Sequence, residues 1–100
     1  MSINKPLVSI IMNCYNGDEF LREAIESVYS QSYSNWEIIF WDNASTDDSS
    51  LIANSYDSRI KYFLADETTP LGEARNLALS EASGKYIAFL DCDDIYLKDK

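Results

Sequence analysis

Four apolar runs of strand length, Leu7–Met12, Trp36–Trp41, Ile60–Leu64 and Tyr86–Leu90, alternate with three stretches of helical periodicity. No other feature restricts the fold as much. Parallel strands cannot be joined by a tight turn, and the intervening helices supply the crossovers they need. A β-α-β-α-β-α-β order therefore predicts one parallel sheet with helices on both faces, a three-layer α/β/α Rossmann-like fold. The runs are rich in β-branched and aromatic residues, as strands buried on both sides require.

The helices are read from spacing and end signals. Over residues 18–31, Phe20, Leu21, Ala24, Ile25 and Val28 recur every three or four positions, and Asp18 is placed to cap. A second helix is expected from a Ser45 or Thr46 cap to about Tyr56, with Leu51 and Ile52 facing inward. A third spans Leu71–Ala82, with Ala74, Leu77, Ala78 and Ala82 on one stripe. Gly84 is expected to close it as a left-handed residue. We expect the strand order 3-2-1-4, which makes the first and fourth strands neighbours.

Charge and residue types remove several function classes. Seventeen acidic against eight basic residues give a net charge of −9. That argues against a nucleic-acid backbone or an anionic membrane surface as the main partner. The chain has no histidine, so Ser-His-Asp and Cys-His nucleophilic schemes and histidine metal sites are out. Cys14 and Cys92 are too few for a disulfide scaffold, and we read them as reduced thiols in a cytoplasmic setting. No apolar run approaches membrane-spanning length. One hundred residues make one small domain.

In open parallel sheets, ligands bind beyond the carboxyl ends of the strands. Polar clusters fall there: Asn13 to Asn16, Asp42-Asn43, and Asp91-Cys92-Asp93-Asp94. In extended backbone Asp91 and Asp93 face one way, and two such charges repel unless a cation sits between them. One reading is a Mg²⁺ or Mn²⁺ site, because hard divalent ions take oxygen ligands. The other is a solvated acidic turn. With neither a GxGxxG nor a Walker loop, a bound phosphate would depend on such a metal for its counter-charge. Asp42 offers an acceptor for a base N–H and Tyr15 a face for stacking. Together these point to a metal-bound nucleoside diphosphate. Each residue also has a plainer reading: Asp42 as a turn acid, Tyr15 as a packed aromatic, Asn13 as a backbone cap, Arg75 as a partner of Glu73 or Asp94.

Five segments in order resemble the nucleotide-sugar half of a family 2 glycosyltransferase with the GT-A fold. They are 8–16 (VSIIMNCYN), 24–32 (AIESVYSQS), 41–47 (WDNASTD), 72–76 (GEARN) and 84–94 (GKYIAFLDCDD). The resemblance implies a DxD motif at Asp91-Cys92-Asp93, with Asp93 on the metal and Asp91 on the ribose or the metal. It implies base recognition by Asp42, a base-holding loop with Asn13, Tyr15 and Asn16, and Arg75 near the phosphates. It implies inverting sugar transfer from a nucleotide diphosphate sugar, UDP-linked, to a glycan, lipid or protein acceptor, in the cytoplasm or at the cytoplasmic face of the membrane. Two positions depart from the family pattern. Asn13-Cys14 stands where many members carry Pro-Thr, and Asn43 where many carry a second acid.

In the family the catalytic base and acceptor pocket follow DxD. Residues 1–100 are therefore expected to be the donor-binding part, cut after the fourth strand, inactive alone and prone to homodimerise through that strand's edge. The rival readings are a haloacid-dehalogenase-type phosphatase, whose first motif is also a strand running into DxD, and a non-catalytic nucleotide-binding or assembly module.

Overall fold

The computed structural model describes residues 6–92. Four strands, β1 (Val8–Cys14), β2 (Trp36–Asp42), β3 (Ile60–Leu64) and β4 (Tyr86–Phe89), form one sheet in the order β3-β2-β1-β4. Every pairing is parallel. Val8 is opposite both Trp36 and Tyr86, and Ile38 is opposite Ile60. The expected order and layering hold.

Side chains alternate between two cores, as the pleat dictates. Ile10, Met12 and Cys14 of β1 and Ile38 and Phe40 of β2 pack under helix α1 (Asp18–Tyr29) through Leu21, Ala24, Ile25 and Val28. Ala53 of the short helix α2 (Ser49–Ala53) joins that layer. On the other face Ile11 and Ile39 meet Ala78 of helix α3 (Leu71–Leu79), with Trp41, Phe63 and Ala82 packed around them. Small residues at Ala74 and Ala78, both fully buried, let α3 lie close to the sheet.

Several expectations about the helices are corrected. Asp18 is the first residue of α1 rather than its cap, which is Gly17. Phe20 is 46% exposed, off the buried stripe. α2 starts at Ser49, because Ser45 and Thr46 bond across to Asn16 instead of capping. With only five residues α2 buries one narrow edge: Ile52 packs on the core while Leu51 is 69% exposed. α3 ends at Leu79, Leu77 faces outward, and no glycine has a positive φ. Gly84 is small for another reason. A Cβ there would lie 2.7 Å from the Ser9 backbone nitrogen and 2.8 Å from the Leu7 carbonyl.

A buried acid ties this end of the sheet together. Glu37, 3% exposed, accepts from Ser9 Oγ at 2.5 Å and from the Ser83 N–H at 2.9 Å, and meets Lys61 Nζ at 3.1 Å. Burial pushes its carboxyl up, but these donors outweigh burial and leave it below its ordinary value.

Candidate functional site

The carboxyl ends of β1 and β2, and the residues just after β4, bring Asn13, Asp42 and Asp91 to one edge of the sheet. Two loops there are clasped together. Asn16 has a φ of 51°, a left-handed conformation that asparagine tolerates. Its N–H donates to Ser45 Oγ at 2.9 Å, and its Oδ1 accepts from the Thr46 N–H at 2.7 Å. Next to it, Asp18 N–H donates to Asp47 and Asp48 N–H donates to Asp18, both at 3.1 Å. Burial raises the Asp47 carboxyl, but hydrogen bonds from Ser49 and Asp18 win and hold it below its usual value.

Asp42 is the most enclosed of the expected site residues. It is 1% exposed, with Oδ1 accepting from the Ser45 N–H at 2.8 Å and Oδ2 from the Tyr62 hydroxyl at 2.5 Å. Burial and the adjoining carboxylate push the Tyr62 phenol well above its ordinary range. Asn43 turns the other way. Its Nδ2 donates to the Thr69 carbonyl at 2.8 Å, and its Oδ1 accepts from the Thr69 N–H at 3.1 Å, which anchors the loop leading into α3.

The α3 face of this edge holds a set of unsatisfied polar atoms. Asn13 is 6% exposed, yet neither Oδ1 nor Nδ2 has a partner among the described residues. The same is true of Trp41 Nε1 and Arg75 Nε. Asn13 and Trp41 are register partners on adjacent strands, so their side chains share this face. Buried polar groups are rarely left unpaired, and each orphan costs about 1–3 kcal/mol. Arg75 uses another nitrogen: Nη2 lies 3.3 and 3.1 Å from the two oxygens of Asp91. Its partner is thus Asp91, not Glu73.

On the opposite face, Cys14 donates to Ser49 Oγ at 3.5 Å and lies against Cys92. The hydrogen bond with Cys92 lowers the Cys14 thiol below its ordinary value, against the opposing effect of burial. Tyr15 is 53% exposed, free to present its ring to a ligand.

The structure thus brings Asn13, Arg75 and Asp91 together on the α3 face of this edge. Asp42, register partner of Cys14, lies on the other face with its oxygens held by Ser45 and Tyr62, and Tyr15 and Asn16 are on the adjoining loop. Asp93 lies outside the described residues. Among the described residues no group of three acidic, Cys or His side chains is placed to hold a metal. The one described oxygen donor of the acidic motif, Asp91, already neutralises Arg75. Three contributors were not read from the sequence: Ser45 and Tyr62, which hold Asp42, and Thr69, which holds Asn43. Tyr62 left one usable sign, a hydroxyl inside an apolar strand, since buried tyrosines seek a partner.

An all-parallel Rossmann-like sheet with its polar side chains at the carboxyl edge defines an α/β protein of the ligand-binding type. The chain belongs to glycosyl transferase family 2, whose model matches residues 9–100. It is 43% identical over 95 residues to the Escherichia coli UDP-Glc:alpha-D-GlcNAc-diphosphoundecaprenol beta-1,3-glucosyltransferase WfgD, covering 94% of this chain and 38% of that one. Staphylococcus aureus TarS 1-349, solved with UDP-GlcNAc, superposes with a TM-score of 0.84 at 28% identity over 88% of this chain and 27% of that one. The Pyrobaculum calidifontis mannosyltransferase PcManGT, solved with GDP-Man and Mn²⁺, gives a TM-score of 0.85 over 93% of this chain and 29% of that one. Its 24% identity speaks for the fold alone. The chain spans between 16% and 40% of the length of the curated relatives it matches.

Proposed function

We propose that residues 1–100 are the donor-binding part of a glycosyltransferase that moves a sugar from a UDP-linked donor to an acceptor hydroxyl, with inversion. The observation that carries this reading is the orphaned Asn13 amide. One acceptor and one donor, side by side and desolvated, complement the alternating N–H and C=O edge of a uracil. A site built to pair such an edge rejects analogues that lack it. Tyr15 would stack on the base and Arg75 would face the diphosphate, with Asp91 holding it in place. Asp42 would act from beneath the site, fixing the turn that carries Asn43 and Ser45.

Mg²⁺ or Mn²⁺ would be held by Asp93 with Asp91 and would supply counter-charge to the leaving diphosphate. In an inverting transfer the acceptor oxygen attacks the anomeric carbon as the diphosphate leaves from the opposite face, and a carboxylate takes the acceptor proton. We assign that base to residues beyond position 100, so residues 1–100 alone bind donor without transferring sugar. The acceptor is a glycan, lipid or protein, and the place of reaction is the cytoplasm or the cytoplasmic face of the membrane. Among the described residues no helix is long and apolar enough to cross a membrane. Self-association through β4 belongs to this reading too: β4 is last in the sheet order, with Tyr86 56% and Phe89 51% exposed. A concentration-independent monomer mass would refute it.

Calorimetric titration tests the main claim. UDP should bind in the presence of Mn²⁺, and CDP should bind more weakly. Asn13→Ala and Asp93→Ala should each weaken UDP by at least about tenfold, which is ~1.4 kcal/mol. Equal affinity for uridine and cytidine nucleotides would refute the base assignment.

A further inference from the structure

We propose that Cys14 and Cys92 form a reversible dithiol–disulfide couple that staples the end of β1 to the turn after β4. Both cysteines carry reduced thiols in this structure. Three features place them for the reaction. First, β1 and β4 run side by side, with Ile11 opposite Phe89, and the Leu90 N–H still donates to the Ile11 carbonyl. Carried three residues further, that register sets Cys14 opposite Cys92. Neighbouring parallel strands lie about 4.8 Å apart, within the span a disulfide bridges. Second, both cysteines lie in one core layer, Cys14 buried within it and Cys92 packed against it. Third, both sulfurs crowd one glycine: a Cβ on Gly17 would lie 2.3 Å from Cys92 Sγ and 3.0 Å from Cys14 Sγ. The side chains therefore point at one spot from two strands.

Access is unequal, and that sets the order of events. Cys92 is partly exposed, whereas Cys14 is 2% exposed. With a low-molecular-weight disulfide RSSR as oxidant, the Cys92 thiolate attacks one sulfur and expels RS⁻. The Cys14 thiolate then attacks Cys92 Sγ and expels the second RS⁻. One S–S bond breaks and one forms. The two protons from the protein thiols go to the two leaving thiolates, so two RSH are released as the two cysteines are oxidised. A thiol reductant reverses each step.

Cys92 directly follows Asp91, so the bond would fix the backbone beside the carboxylate that meets Arg75. The consequence for ligand binding rests on the proposed donor site: the oxidised chain should bind UDP more weakly than the reduced chain.

The test equilibrates the 100-residue chain with glutathione buffers of stepped ratio, in native buffer and in urea, and counts thiols by maleimide mass tagging. The expected result is paired loss of both thiols in a monomer, with an equilibrium constant at least about tenfold larger for the folded than for the unfolded chain. Cys14→Ser should stop at a mixed disulfide of Cys92 with glutathione, and Cys92→Ser should keep its buried thiol reduced in the folded chain. Two thiols that persist in oxidised glutathione, a bond between chains, or equal constants in buffer and urea would overturn the couple. UDP titration of both redox forms completes the test. If the bond forms and the reduced chain ignores UDP, the donor-site reading has failed and the couple stands. If the reduced chain binds UDP and the oxidised chain binds it equally, the couple has no grip on the site and the proposed consequence is overturned.

Discussion

Arg75 and Asp91 meet across the space between α3 and the end of β4, with one guanidinium nitrogen 3.3 and 3.1 Å from the two carboxylate oxygens. Both side chains are partly open to water, at 40% and 35%, so screening keeps the pair below about 1 kcal/mol of stability. Its role is placement. Arg75→Met should leave the melting temperature nearly unchanged while raising the Kd for UDP about tenfold, as read by thermal scanning and calorimetry on one preparation. A large loss of stability with unchanged affinity would make the pair purely structural.

Glu37 gives a prediction with a defined pH sign. Its folded-state carboxyl lies below the unfolded value, so its contribution is present above about pH 4.3 and is lost as pH falls through the folded value. Urea denaturation from pH 7 to pH 3 should therefore show stability dropping on the acid side. Glu37→Gln should be less stable at pH 7 by about 1–3 kcal/mol and should show a shallower acid limb.

Tyr62→Phe removes one donor from an enclosed carboxylate and leaves an Asp42 oxygen unpaired. The expected cost is about 1–3 kcal/mol in chemical denaturation. Asp42→Asn together with Tyr62→Phe should lose less than the sum of the single changes, because the two share one bond. Strict additivity would show that the 2.5 Å contact carries no energy.

The same substitution at two glycines should have opposite signs. Gly84→Ala would drive a Cβ into the Ser9 and Leu7 backbone, with a cost of about 1–3 kcal/mol or more. Gly72 is the second residue of α3, and a Cβ there meets nothing within 4 Å. Gly72→Ala should stabilise by about 0.5–1 kcal/mol through helix propensity and the unfolded chain. Melting curves of the two variants decide both signs.

The strands were legible because burial on both faces writes an unbroken apolar run, and the layering followed from their alternation with helices. Helix ends were less legible. Ser45 and Thr46 look like caps in sequence, but the loop from β1 lies close enough to claim them, and proximity of that kind is not a local property. Leu51 was misplaced because a helical stripe says nothing about a helix too short to complete it. The site was legible in its positions and not in its bonding. Asp42 stands at the expected strand end, yet sequence gave no sign that Ser45 and Tyr62 occupy both its oxygens. Glu37 is the one polar residue in an apolar run, and a lone charge in a doubly covered strand implies buried partners.

The seat of β1 between β2 and β4 bears on how the chain is made. Val8 pairs with Trp36 on one side and with Tyr86 on the other. On a ribosome adding ~5–20 residues per second, β1 would wait ~2.5–10 s between emergence of its first partner at Trp36 and of its second at Tyr86. During that interval its second hydrogen-bonding edge stands open beside the thiol of Cys14.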